Sequence, residues 1–172
     1  MVSSDVLLTI LPIDVIQESA PNAGVLEMDQ DALKDEIRAA FRHVDKPDAL
    51  QIAPHECAEC DELRNDLHPY DSASVPDAVL DRHVWDLPLL SDEAKQYYLP
   101  AWMIRSIEDP ESDCTEALLS ALDSDHRWFP ARPYTDRQWR VIEAYLDFLE
   151  RNADELTLEN VAKARKRLID QP

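Results

Sequence analysis

The sequence predicts an all-α protein, a compact multi-helix domain over residues 28–172 preceded by an arm, residues 1–27. Three observations carry that prediction. Gly24 is the one glycine in 172 residues, and neither Asn-Gly nor Asp-Gly occurs. The two-residue hairpin turns that need positive φ therefore have almost nothing to be built from. Twelve prolines punctuate the chain instead. Between them, apolar residues recur at three- and four-residue spacings, the period of a helix. A chain of this length can bury a sizeable core without staples, and no fixed-period repeat is visible.

The arm is apolar and β-branched as far as Ile16, then turns through ESAPNAG, and reads as a strand, a short helix or an irregular extension. Its apolar run, residues 6–16, is broken by Pro12 and is too short to span a bilayer. No basic segment precedes that run, which is unlike a signal peptide. From Asp31, Leu33, Ile37, Ala40, Phe41 and Val44 form one helical stripe, stopped at Lys46-Pro47. A second helix is expected from Pro54 to about Leu67, with Glu56 and Glu59 at its positive end. A third, short helix spans residues 76–85 and carries Val79, Leu80, His83 and Val84.

Ser91 is a natural N-cap for a helix through YYLPAWMIRSI. Pro100 lies inside it, so a kink or two abutting helices are expected there. Residues 113–122 turn Leu118, Leu119 and Leu122 inward. Thr135 and Gln138 form a capping box for a helix burying Trp139, Ile142, Tyr145, Leu146 and Leu149. Thr157 is read as the cap of the last helix, with Leu158, Val161, Ala162, Arg165, Leu168 and Ile169 on its inner side.

The net charge is −19 and uneven. Residues 1–126 hold 8 Lys+Arg against 28 Asp+Glu, and residues 127–172 hold 9 against 8. Such a field repels nucleic acid and anionic membrane and favours a basic protein partner. Solubility, or a salty cytoplasm, is the alternative reading. Three cysteines are too few, and odd in number, for a secreted disulfide scaffold. Free thiols in a reducing, cytoplasmic setting are expected.

HECAEC (residues 55–60) with Asp61-Glu62-Leu63, Leu89-Leu90-Ser91 followed by Glu93-Ala94 and then Tyr98-Leu99-Pro100-Ala101, and the later Gln138 resemble a family of uncharacterised bacterial proteins. The resemblance covers about residues 32–150. It implies a small α-rich domain and no established activity. The arm and the basic last helix lie outside it.

PHECAECDEL poses the sharpest chemical question. Cys57 and Cys60 have the spacing of half a zinc site, with His55 two residues upstream. A second half-site motif is missing, and His83 or His68 would have to complete the set. Against that stands packing: Cys57, Cys60, Leu63 and Leu67 would share one face of a helix, and free cysteines are often buried. Redox work is a third reading, without the βαβ context of a thioredoxin-like motif. The zinc-deaminase signature fails, because no H-x-E lies upstream of the cysteines.

A lone glycine excludes phosphate-cradling loops, and no G-x-S-x-G occurs. Cys114 sits in EDPESDCTE, where neighbouring carboxylates oppose a thiolate. The acidic groups Asp61, Glu62 and Asp66, and Asp109, Glu111 and Asp113, read as solvated faces. No catalytic residue is assigned. Tyr97, Tyr98, Trp102, Trp128, Phe129 and Trp139 read first as core, with a binding groove or interface as the alternative. The loop with Trp128, Phe129, Arg132 and Tyr134 is the best partner-binding candidate.

Two functions follow. One is a non-enzymatic acidic module that binds a basic protein, such as an immunity or antitoxin inhibitor of a nuclease-like toxin. The other is a zinc-binding or thiol-responsive regulator centred on His55, Cys57 and Cys60.

Overall fold

Leu33, Ile37 and Phe41, the stripe that opens the helical pattern, are all buried on α1, Gln30–Phe41. The computed structural model describes residues 29–123, 134–152 and 154–169. The arm and the residues Trp128, Phe129 and Arg132 lie outside them. Along the described chain follow α2 (Ala49–Ile52), α3 (Ala58–Leu67), α4 (Asp77–Arg82), a 3₁₀ segment (Val84–Leu89), α5 (Asp92–Glu108), α6 (Asp113–Asp123), α7 (Asp136–Asn152) and α8 (Glu155–Ile169). No strand occurs among the described residues, so the all-α prediction holds.

The helix α5 is the hub, touching α1, α2, α4, α6 and α7. Its sequence suits that place. Ala94, Tyr98, Leu99, Ala101, Trp102, Met103 and Ile107 are buried around most of its circumference, as expected of a helix with protein on nearly every side. Ser91 caps it, its Oγ accepting from the Ala94 N–H at 3.1 Å. Pro100 does not divide it: one helix runs from Asp92 to Glu108. Packing by the flanking helices outweighs one lost backbone bond.

Pairs of helices close around this hub: α1 lies on α5 and α7, and α6 lies on α8. Hydroxyls stitch the layers. Ser106 Oγ is 2.7 Å from both Thr115 Oγ1 and Tyr145 Oη, joining α5, α6 and α7 in a buried network. The Tyr98 hydroxyl donates to the Leu67 carbonyl at 3.2 Å and so holds the end of α3 against α5.

The capping box at Thr135 is present in full: Thr135 Oγ1 accepts from the Gln138 N–H, and Gln138 Oε1 from the Thr135 N–H. Two helix starts differ from expectation. The last helix is capped by Asp154, whose Oδ1 accepts from the Thr157 N–H at 2.8 Å, so it begins earlier than Thr157. Among its described side chains Val161 and Ala164 are buried, while Leu158 and Ala162 are exposed; those of Leu168 and Ile169 lie outside the description. The second expected helix starts at Ala58 rather than Pro54, and the short α2 precedes it. Asp48 and Gln51 box the N-terminus of α2, and the carbonyl of Ile52 at its end accepts from Ser91 N–H at 2.9 Å.

Candidate metal site at the start of α3

The late start of α3 creates the site. Cys57 is the N-cap, in extended backbone, and its Sγ accepts from the Cys60 N–H at 3.4 Å. The cap folds residues 55–57 back over the first turn. His55 is exposed, Cys57 half-buried and Cys60 buried. One imidazole nitrogen and two sulfurs lie within 4.8 Å of one another. The one-face packing expectation holds for Cys60, Leu63 and Leu67, which are buried on α3, while Cys57, the N-cap, is half-buried and packs against the same core.

Arg64 holds the loop in place. Its Nη1 donates to the Ala53 carbonyl and, at 3.2 Å, to the His55 carbonyl. Its Nη2 pairs with Asp61. The guanidinium thus ties the His55 backbone to the helix that carries Cys60. It also lies near enough to favour a thiolate at Cys60. Burial has the opposite and larger effect; with the Cys57 sulfur alongside, it pushes the Cys60 thiol up to about 11. Without a cation bound, Cys60 is a neutral thiol at pH 7.

The donor set suits zinc. Nitrogen and sulfur are its preferred ligands, and in a tetrahedral site two sulfurs at about 2.3 Å from the ion stand roughly 3.8 Å apart. The observed spread needs only a small contraction to reach that. Two thiolates and a neutral imidazole also balance a divalent charge. A hard cation such as Mg²⁺ would want an all-oxygen set instead.

His83 is not brought to this group. It is buried, with Nδ1 2.8 Å from Asp86 Oδ2 and Nε2 3.0 Å from Asp66 Oδ2. Both ring nitrogens are engaged, so the imidazole is a structural joint between α3 and the 3₁₀ segment. Asp66, expected to face solvent, is turned inward by the same contact, and the His83 hydrogen bond holds its carboxyl below the usual carboxylate range. His68 is the C-cap of α3, about 12 Å along the axis from Cys60 at 1.5 Å per residue. Among the described residues no fourth ligand joins the three.

Tyr134 is also not where the partner-binding expectation put it. It is core, edge-on to Phe41 at 6.1 Å and to Trp139 at 5.1 Å. Cys114 is buried, donating to the Trp102 carbonyl at 3.6 Å. Burial, more than its acidic neighbours, pushes its thiol up to about 12. Arg64 went unremarked in the sequence. Its signal was slight: a basic residue four positions after Cys60, hence one turn along the same helix.

Fold and site together define an all-α protein with a His-Cys-Cys group at a helix N-terminus. The chain belongs to a family of unknown function, DUF6714, whose model matches residues 29–168. That match extends past the span of the sequence resemblance and takes in α8, so the basic last helix is part of the family's domain; the arm is outside it. No curated protein and no solved structure matches the chain. No helix among the described residues is long and apolar enough to cross a membrane.

Proposed function

We propose that this protein is a metal-binding, non-enzymatic module in which His55, Cys57 and Cys60 hold one zinc ion. The observation that carries this reading is the convergence of an imidazole and two thiols within 4.8 Å at the start of α3. Three protein ligands leave one position of a tetrahedral ion open to water or to a donor from a bound partner. Bound zinc would fasten the 53–57 loop to α3 and so shape the surface around it. Native mass spectrometry of the reduced full chain tests the reading. One zinc per chain is expected, lost in both His55→Ala and Cys57→Ser. A chain that stays metal-free when titrated with zinc overturns it.

A second reading keeps the acidic field as the functional feature, with a basic protein as partner and an immunity or antitoxin role as its concrete form. It is supported by the ion pairing. Lys34, Arg38, Lys46, Arg64, Arg82 and Arg105 each lie on a carboxylate. The cations are thus largely neutralised at home, and the excess negative charge is left to face outward. Association with a basic protein that weakens steeply with added salt is expected. A set of basic nuclease-type proteins yielding no salt-sensitive binder counts against it.

A further inference from the structure

A cleft of about 470 Å³ lies between the end of α1 and the middle of α5, away from the cysteines. That volume is in the range of small-molecule sites. Its floor is apolar: Phe41 and Val44 from the α1 side, Pro100 and Ile104 from α5. Its rim holds three cations, Arg38, Arg42 and Lys46. In a chain of net charge −19, that grouping runs against the average. Two other surface clefts are lined by more acid than base: Asp45, Asp92 and Glu93 with His43 and Arg137 in one, and Asp29 and Glu108 with Arg151 in the other.

The carboxylates at the rim do not cancel the cations. Asp71 is occupied, its Oδ1 taking Lys46 Nζ and the Tyr97 hydroxyl, each at 3.4 Å. Asp45 is the other acid of the lining, and Asp35 lies on Arg38 just outside it, so the anion-binding capacity of the cleft rests on Arg42. Arg38 is paired with Asp35, which is 80% exposed, so the pair is weak and easily exchanged. Arg42 has no carboxylate on it among the described residues. Its Nε donates to Nε2 of His43 at 2.9 Å. A planar guanidinium with most of its donors unused, at the mouth of an apolar cleft, is suited to a carboxylate in bidentate geometry.

We infer that this cleft binds a small organic acid, an apolar or aromatic body seated on Phe41, Val44, Pro100 and Ile104 with its carboxylate on Arg42. The site is independent of the metal reading. The Tyr97 hydroxyl, at the edge of the cleft, adds a polar contact beside the ring or chain.

The probes are 2-naphthoate and its neutral counterpart 2-naphthamide, titrated into the ¹⁵N-labelled full chain at about 150 mM salt, where the Debye length is about 8 Å and the acidic surface is screened. Naphthoate is expected to shift the amides of Val44, Tyr97 and Ile104 and to bind at least tenfold more tightly than the amide. Arg42→Gln, a change at an exposed position, is expected to reduce naphthoate to the level of the amide with the fold intact. Arg140→Gln, an exposed cation outside the cleft, is the control and leaves binding unchanged. Equal binding of the two probes, binding insensitive to Arg42→Gln, or no shift at these amides at millimolar probe overturns the inference.

Discussion

Loading zinc at neutral pH must expel a proton from Cys60. Its side chain has no exposed surface, and burial beside Cys57 pushes the thiol up to about 11. At pH 7 the thiolate is therefore a minor form, and preparing it opposes binding. The ion binds the deprotonated form alone. Acid therefore works against binding, and the apparent association constant rises about tenfold per pH unit for each proton displaced. From pH 6 to pH 8 the rise is about 100-fold on the account of Cys60, and any proton lost by Cys57 steepens it further. Competition against a chromophoric chelator of known pH dependence, on the reduced full chain, measures the slope. Cys60→Ser is expected to weaken zinc strongly and to flatten the slope by one proton. Affinity that does not change with pH, or an unaltered slope in Cys60→Ser, would refute the reasoning.

Arg64→Gln removes the fork that holds the Ala53 and His55 carbonyls to α3; zinc affinity is expected to fall about 10- to 100-fold, as for other groups that orient ligands, with helix content by circular dichroism unchanged. The Asp66 carboxyl is held low by His83, so its contribution to stability is fully present above its unfolded value and is lost as pH falls through the folded one. Urea midpoints between pH 5 and pH 2.5 should therefore drop less in Asp66→Asn than in the parent, though the variant starts less stable because His83 and Arg82 exchange a charged acceptor for a neutral amide oxygen. Tyr145→Phe takes the hydroxyl from the Ser106–Thr115 network; a loss of about 1–3 kcal/mol in urea unfolding is expected, and no loss would show that the network is without weight.

Much of the fold was legible because its strongest elements carry two agreeing signals. On α7 the Thr135–Gln138 box and the stripe through Ile142, Tyr145 and Leu149 say the same thing, and on α5 Ser91 marks the start. The start of α3 was misplaced because Pro54 is a good first-turn residue, while the thiol of Cys57, an uncommon cap, does the capping. At α8, Asp154 and Thr157 are both acceptable caps; contact with α6 and α7 decides which face turns inward, and no local pattern encodes that. The four-residue α2 is too short for periodicity, and only its Asp48–Gln51 box announces it.

The site divides the same way. His55, Cys57 and Cys60 could be gathered from spacing alone, since the chain between them is short. His83 could not be placed, because one of its two partners, Asp66, lies 17 residues upstream, and only the fold brings them together. Tyr134 looked like a loop aromatic in sequence. Its burial depends on Phe41, a residue of α1 far away in the chain.

Substitution with cobalt(II) tests the central claim most directly, because the ion reports its own ligands. The reduced full chain titrated with cobalt(II) should develop thiolate-to-metal absorption in the near ultraviolet and the strong visible bands of a tetrahedral ion, saturating at one ion per chain, and zinc should bleach both. Loss of the thiolate absorption in Cys57→Ser and Cys60→Ser, and altered visible bands in His55→Ala, would complete the assignment. Weak octahedral bands without thiolate absorption would contradict it, and PHECAECDEL would then be a capped helix start with two packed thiols.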